Sequence, residues 1–138
     1  MKKNISMKVL KMARLKTSKE TKEKLKSLQK RLNLRPNILS RYAINLSIKA
    51  INTGEILPER DYDNDGLEFR KETLFGDYEL LFKTLMTQAL NKKISKDEFY
   101  PYYTKLFLEH GTKLLKNEYE FAGNYETFLL NIINNKMG

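Results

Sequence analysis

The residues with the strongest chemical signature form a short acidic stretch, Asp61-Tyr62-Asp63-Asn64-Asp65-Gly66-Leu67-Glu68-Phe69-Arg70-Lys71-Glu72. Its spacing is that of an EF-hand calcium loop: carboxylates at alternate positions, a glycine for the sharp turn, and a terminal Glu able to bind the ion through both oxygens. Three features oppose calcium. The preceding NTGEILPER holds Gly54 and Pro58 and makes a poor entering helix. Glu68 stands just after the backbone-carbonyl position, where an apolar residue normally faces a partner loop, and the chain has no second such loop. The expectation is an acidic connector without a metal.

A second pattern is cationic. Lys19, Lys22, Lys26 and Lys30 recur at intervals of three and four, which on a helix sets them within an arc of about 80°. Four ammonium groups in a row suit the phosphates of a nucleic-acid backbone, which are neutralised without any reading of sequence. A merely solvated face usually mixes both signs; Glu20 and Glu23 lie beside this stripe rather than in it. Arg14 and Lys16 precede the stripe, and Arg31, Arg35 and Arg41 follow it near the next helix start. Together these nine residues are the candidate DNA-binding face. The whole 138-residue chain supports that choice, with 26 Lys+Arg against 17 Asp+Glu and a formal charge of +9. Residues 1–50 hold 15 cations and 2 acids, whereas the remainder holds 11 and 15. So uneven a distribution implies one surface for a polyanion on a mildly acidic body.

Composition removes most alternatives. With no Cys the chain has no disulfide, no Cys-ligated zinc or iron–sulfur site, no thiol nucleophile and no persulfide carrier. A single His, His110, excludes multi-His metal sites and argues against a His-centred triad. No Gly-rich phosphate cradle is present. Catalytic residues and cofactors are therefore expected to be absent. No apolar run approaches the roughly 20 residues that cross a bilayer. The opening MKKNISMKVLKMARLK lacks the apolar stretch and cleavage site of a secretory leader, so a cytoplasmic protein is expected.

The elements that must carry these residues are helices. Residues 7–17 are basic and partly alternating, a short strand or an extended arm. Thr17-x-x-Glu20 reads as a capping box, with Ser18 as an alternative cap, starting a helix to about Leu32 whose Leu25, Leu28 and Leu32 face away from the lysines. Asn33-Leu34-Arg35-Pro36 breaks it, and Pro36 suits the first turn of a second helix running to about Ile51. That helix is apolar on two sides (Ile38, Leu39, Tyr42, Ala43, Leu46 and Ala50; Ile44, Ile48 and Ile51), so it is either central to the core or shared between subunits. Residues 52–72 read as a polar connector. Tyr78, Leu81, Phe82, Leu85, Met86, Ala89 and Leu90 mark a third helix. Ser95-x-x-Glu98 caps a fourth, kinked at Pro101 and continuing through Leu115; Asn124 caps a last one with Phe128, Leu129, Ile132 and Ile133. The sum is one all-α domain of about five helices, divided as a basic arm (1–13), a basic helical DNA-binding part (14–51), an acidic connector (52–72) and a helical body (73–138). Tyr100, Tyr102 and Tyr103 could stack bases, although a Tyr-rich helix is more often core or interface.

Several segments taken together resemble the DndE family, the small subunit of bacterial DNA phosphorothioation (DNA sulfur modification) systems. They are Leu15-Lys16-Thr17-Ser18 with Thr21-Lys22-Glu23-Lys24-Leu25 and Leu28; Leu34-Arg35-Pro36-Asn37-Ile38-Leu39 with Arg41; Asp65-Gly66-Leu67-Glu68-Phe69 running into Thr73-Leu74-Phe75-Gly76-Asp77-Tyr78; and Gly111 with Leu114 and Leu115. The chain departs from the family at Arg35, where a small hydroxyl cap is common, at Arg70-Lys71, and at His110, where a basic residue is usual. The resemblance implies a helical, self-associating protein, a homotetramer, that binds DNA including nicked duplex. It would work beside the enzymes that replace a non-bridging phosphate oxygen by sulfur, in a restriction-modification setting, and sit with the nucleoid. Lacking a thiolate and a nucleotide cradle, such a chain would hold DNA rather than transform it.

A second reading is a ribbon-helix-helix repressor: basic strand 8–16, helix 18–32, a turn, and helix 36–51, with the strand pairing across a dimer and reading bases through Arg14 or Lys16. A third is an adaptor for a membrane surface or an acidic protein using the same patch.

Overall fold

Caps and apolar spacing place the first helix, and a distant carboxylate sets how it is turned. The computed structural model describes residues 14–123 and 125–137; the expected arm at 1–13 and the Asn124 cap lie outside them. β1 (Leu15–Lys16) leads into α1 (Lys19–Leu32), which buries Leu25 and Leu28 and ends at Asn33, whose left-handed backbone (φ 55°) closes the last turn. Its N-cap is Ser18 rather than Thr17: Ser18 Oγ accepts the Thr21 N–H at 3.1 Å. Thr17 is unavailable because its hydroxyl accepts from Leu67 N–H and donates to the Ser18 carbonyl, both at 2.9 Å. Glu20 does not complete a capping box. It pairs with Lys24 at 2.6 Å, and that ammonium holds its carboxyl below the usual range.

Pro36 opens α2 (Pro36–Asn52) at its first turn, as its fixed φ favours. Leu39, Ala43, Ile44, Ile48 and Ala50 are buried, so the helix is central for most of its length, while Leu34, Ile38 and Tyr42 near its start stay exposed. It lies along α5 (Thr104–Ala122) so closely that a Cβ on Gly111 would overlap the Ala43 carbonyl.

The connector holds more order than its composition implies. β2 (Glu68–Phe69) pairs antiparallel with β1, with Leu15 opposite Phe69 and Lys16 opposite Glu68, and α3 (Lys71–Phe75) begins inside the expected loop. The buried Leu15 and Phe69 join one core and draw β1 onto its own chain. A ribbon-helix-helix dimer needs its strand to pair with a second copy; Leu15–Lys16, the described end of the expected strand 8–16, pairs with its own chain instead, and residues 8–13 lie outside the described residues.

A short 3₁₀ turn (Gly76–Tyr78) leads to α4 (Glu79–Leu90), which buries Phe82 and Met86 and leaves Leu80 and Leu81 exposed. Ser95 and Glu98 cap each other as expected, Ser95 N–H to Glu98 Oε1 at 2.9 Å and Glu98 N–H to Ser95 Oγ at 3.0 Å. A wide turn over Glu98–Tyr103 contains an extended Tyr100 and the cis Tyr100–Pro101 bond, and α5 follows, running beyond Leu115 to Ala122. α6 (Tyr125–Met137) closes the chain. The described residues thus form an all-α domain with five helices of twelve or more residues and a two-residue ribbon around one core from Leu15 to Tyr119. Phe75 anchors that core, its ring 4.8 Å from Phe82 and 5.4 Å from Phe99. No helix among the described residues is long and apolar enough to cross a membrane.

Gly111→Ala forces α2 and α5 apart. It should lower unfolding stability by about 1–3 kcal/mol, the range for overpacking a tight core, read as a lower urea midpoint with far-UV circular dichroism unchanged before the transition. An unaltered midpoint would show that the helices part without cost.

Candidate nucleic-acid interface

The cationic face exists because α1 is held in one rotational setting. Glu109 on α5 is only 6% exposed, and its carboxylate accepts from Ser18 N–H at 2.7 Å, Ser18 Oγ–H at 2.6 Å and Thr21 Oγ1–H at 2.6 Å. A negative charge at the positive end of a helix dipole, fully hydrogen-bonded, suits a buried carboxylate. With Leu25 and Leu28 inward, the opposite side of α1 presents Lys19, Lys26 and Lys30 to solvent and Lys22 half-buried. Eleven residues at 1.5 Å rise give a stripe about 16 Å long. Among the described residues none of these four ammonium groups forms an ion pair.

The other candidate cations have mixed employment. Arg14 and Lys16 on β1 flank Glu68, at 2.6 and 3.9 Å, and the Arg14 contact holds the Glu68 carboxyl below its ordinary range. Both remain about half exposed. Arg31 stands 5.7 Å from the centre of the Tyr119 ring. Arg35 is exposed at the start of α2, where its side chain makes no capping bond. Arg41 differs: its Nε–H donates to the Leu74 carbonyl and its guanidinium lies 5.8 Å from the Tyr78 ring, so it fastens α3 to α2. The structure therefore sets the four stripe lysines along one helix, leaves Arg14 and Lys16 beside Glu68, and gives Arg41 a structural task.

The EF-hand-like loop is filled by the protein itself. Asp63 Oδ1 accepts from Lys19 N–H at 2.8 Å and Asp65 N–H at 3.0 Å, and these amides hold the carboxyl below the usual range. The Lys105 ammonium donates to the Asp63 carbonyl at 2.7 Å and to Asn64 Oδ1 at 2.8 Å. Burial pushes the Lys105 pKa down. Gly66 is needed for close approach rather than for a calcium turn, since a Cβ there would meet Thr17 Oγ1 and the Ser18 carbonyl. Among the described residues no group of three acidic or His side chains could hold a metal ion.

Beside the basic run lies a cleft of about 310 Å³ that the linear pattern does not show. Lys16 lines it from β1 and Arg14 from just before it; Arg60, Tyr62 and Asn64 from the connector; Pro101 and Tyr102 from the turn before α5, and Lys105 from the first turn of α5. Tyr102 is 50% exposed, whereas Tyr100 and Tyr103 are buried in the core. The Tyr cluster thus divides into two core rings and one cleft wall. Arg60, Tyr62 and Lys105 drew no attention in the sequence because nothing local joins them to Arg14.

His110, next in sequence to Glu109, is a core residue. It is 8% exposed, its Nδ1 is 2.8 Å from Ser47 Oγ and its Nε2 3.7 Å from Glu55 Oε1. The order Ser–His–Glu imitates a hydrolytic triad, but Ser47 is fully buried inside α2, where no substrate reaches it. Burial pushes the His110 pKa below its usual 6.5, Lys113 adds to that, and Glu55 opposes it.

Comparison with known proteins places these features. A family model described as DNA sulphur modification protein DndE matches residues 14–123. The crystal structure of DndE from Escherichia coli B7A, involved in DNA phosphorothioation modification, is similar with a TM-score of 0.57 and 23% sequence identity, over 74% of this chain and 94% of that one. At that identity the likeness is one of fold. No curated protein matches the chain. The α6 helix lies beyond the matched residues.

Two measurements test the site's internal chemistry. Isothermal titration with calcium, up to the ~1 mM range of weak loop sites, should give no binding heat; micromolar binding would mean that the connector carboxylates are free to turn to an ion. Because folding depresses the His110 pKa, the unfolded state binds the proton more readily. The stability His110 contributes is therefore complete above about pH 6.5 and declines as pH falls through that value. Urea midpoints should drop from pH 7 to pH 5, and His110→Gln should lack that slope. An equal slope in both proteins would assign it to other groups.

Proposed function

The chain belongs to the DndE family of DNA sulphur modification proteins, and from that premise we propose that it is the non-catalytic subunit that holds DNA for the phosphorothioation machinery in the cytoplasm. The observation that carries this reading is the unpaired lysine stripe of α1, extended by Arg14 and Lys16. Point charges about 16 Å apart from end to end, on a rigid helix, suit backbone phosphates spaced one per 1.7 Å of duplex axis, and they select charge rather than sequence. Lys16, Lys19, Lys22, Lys26 and Lys30 with Arg14 are the principal contacts; Arg31 and Arg35 extend them toward α2. Arg41 contributes through the corner it holds rather than by direct contact. The amides at the start of α2, where Arg35 supplies no side-chain cap, are a further phosphate site.

A chemical share in the reaction has no support in the residues. Sulfur passed as persulfide needs a thiolate, and the sequence has no Cys. The protein instead acts beside the other proteins of the system, on duplex and on nicked duplex. Self-association, as a tetramer, would multiply the cationic stripes. The exposed Leu34, Ile38 and Tyr42 at the start of α2, adjoining Tyr78 and Leu81, are the surface suited to a second copy.

Binding to random-sequence duplex should weaken with salt. If each protomer engages ~3 phosphates, log K against log salt should fall with a slope of about −2.7 per protomer. Replacing Lys19, Lys22, Lys26 and Lys30 together by Glu should abolish the interaction while circular dichroism remains helical; undiminished affinity would reduce the stripe to a wet surface. A preference of ~10³-fold for one operator over random DNA would restore the repressor reading.

A further inference from the structure

We propose that the cleft between β1, the 60–64 loop and the Pro101 turn receives one unpaired nucleotide of a DNA strand; this rests on the DNA-binding reading above and adds a second kind of contact to it. A row of lysines needs only a phosphate. This cleft is built differently. Its volume, about 310 Å³, is at the lower end for small-molecule pockets, the size class of a single nucleotide rather than a duplex.

Its walls are mixed in the way a nucleotide is mixed. Tyr102 offers an exposed ring whose setting is fixed from behind, by the edge of Tyr103 at 4.9 Å and by its hydroxyl donating to Glu59 at 3.3 Å. Arg60, its guanidinium 5.5 Å from the centre of the Tyr62 ring, and Tyr62 itself add a cation and a second aromatic ring to the lining. Bases pulled out of a helix stack on such rings and guanidinium planes. Asp61, Asn64 and Asp97 also line the space. Two carboxylates are out of place in a site for bare phosphate, yet carboxylate and amide groups are what accept from and donate to a base edge. Arg14 and Lys16, which line the cleft, supply the phosphate contacts. The start of α1 meets the 60–64 loop where Lys19 N–H donates to Asp63 Oδ1, so a strand held by α1 reaches the cleft beside it.

Fluorescence anisotropy with a fully paired duplex, and the same duplex carrying one extra unpaired nucleotide, tests this. The native protein should bind the second about tenfold more tightly, within the range that one stacked base supplies. Tyr102→Ala should erase that difference and Tyr102→Phe should retain it, with neither changing affinity for the paired duplex. Tyr102 is half exposed, and circular dichroism checks that both variants fold. Equal affinity of the native protein for both duplexes would overturn the cleft assignment and leave the stripe standing, as would an equal loss for both duplexes in Tyr102→Ala. Absence of binding to either duplex would overturn the DNA reading itself, and the cleft assignment with it.

Discussion

The Glu109 carboxylate is the contact from which the remaining geometry follows. Buried on α5, it takes three hydrogen bonds from Ser18 and Thr21, and so ends α1 against the central helix pair instead of against solvent. Once Ser18 is fixed, Thr17 can reach only one way, and its backbone and hydroxyl grip Gly66 and Leu67 of the connector. That grip sets the β1–β2 register and brings Arg14 beside Glu68. A carboxylate left in that place without its donors would carry a desolvation penalty of a few kcal/mol, which is why one side chain can govern the direction in which a whole helix shows its lysines.

What could be read from the sequence divides along the distance between partners. Both ends of α1, the Pro36 start of α2 and the Ser95–Glu98 cap depend on residues within a few positions of one another, and they are legible. The lysine stripe is legible for the same reason, because helical period alone puts Lys19 and Lys30 on one face. The choice of Ser18 over Thr17 as cap was not, since it turns on Leu67, fifty residues away. Nor was Arg41, whose use depends on a carbonyl thirty-three residues on. The cleft is the extreme case. Four separated segments supply its walls, and only the exposure of Tyr102 distinguishes that residue from the buried Tyr100 and Tyr103.

The connector shows how the same short pattern can serve opposite ends. Alternating acids around a glycine concentrate oxygen ligands, and in a calcium loop the ion neutralises them. Here the Lys19 and Asp65 amides hold the Asp63 carboxylate, and the Lys105 ammonium from α5 takes the Asp63 carbonyl and the Asn64 amide oxygen beside it. Asp63, Glu68 and Glu20 each answer a cation or an amide of their own chain. Asp63 and Glu68 are thereby tied into the fold, while among the described residues Lys19, Lys22, Lys26 and Lys30 form no ion pair.

A stripe of this kind has a limit that bears on the architecture. Each neutralised phosphate contributes through counterion release, so a single protomer with few contacts binds weakly at physiological salt and cannot tell one stretch of duplex from another. Two remedies are available in the proposed reading. One is repetition, which raises the effective concentration of the second contact once the first is made; α2 is suited to this, with its inner side committed to α5 and Ile38 and Tyr42 near its start exposed. The other is a contact that duplex cannot make, which the Tyr102 cleft supplies in the proposed reading. Repetition strengthens every DNA site equally. Only a contact of the second sort can favour a strand that has lost its pairing, so in the proposed reading discrimination comes from the cleft and grip from the stripe.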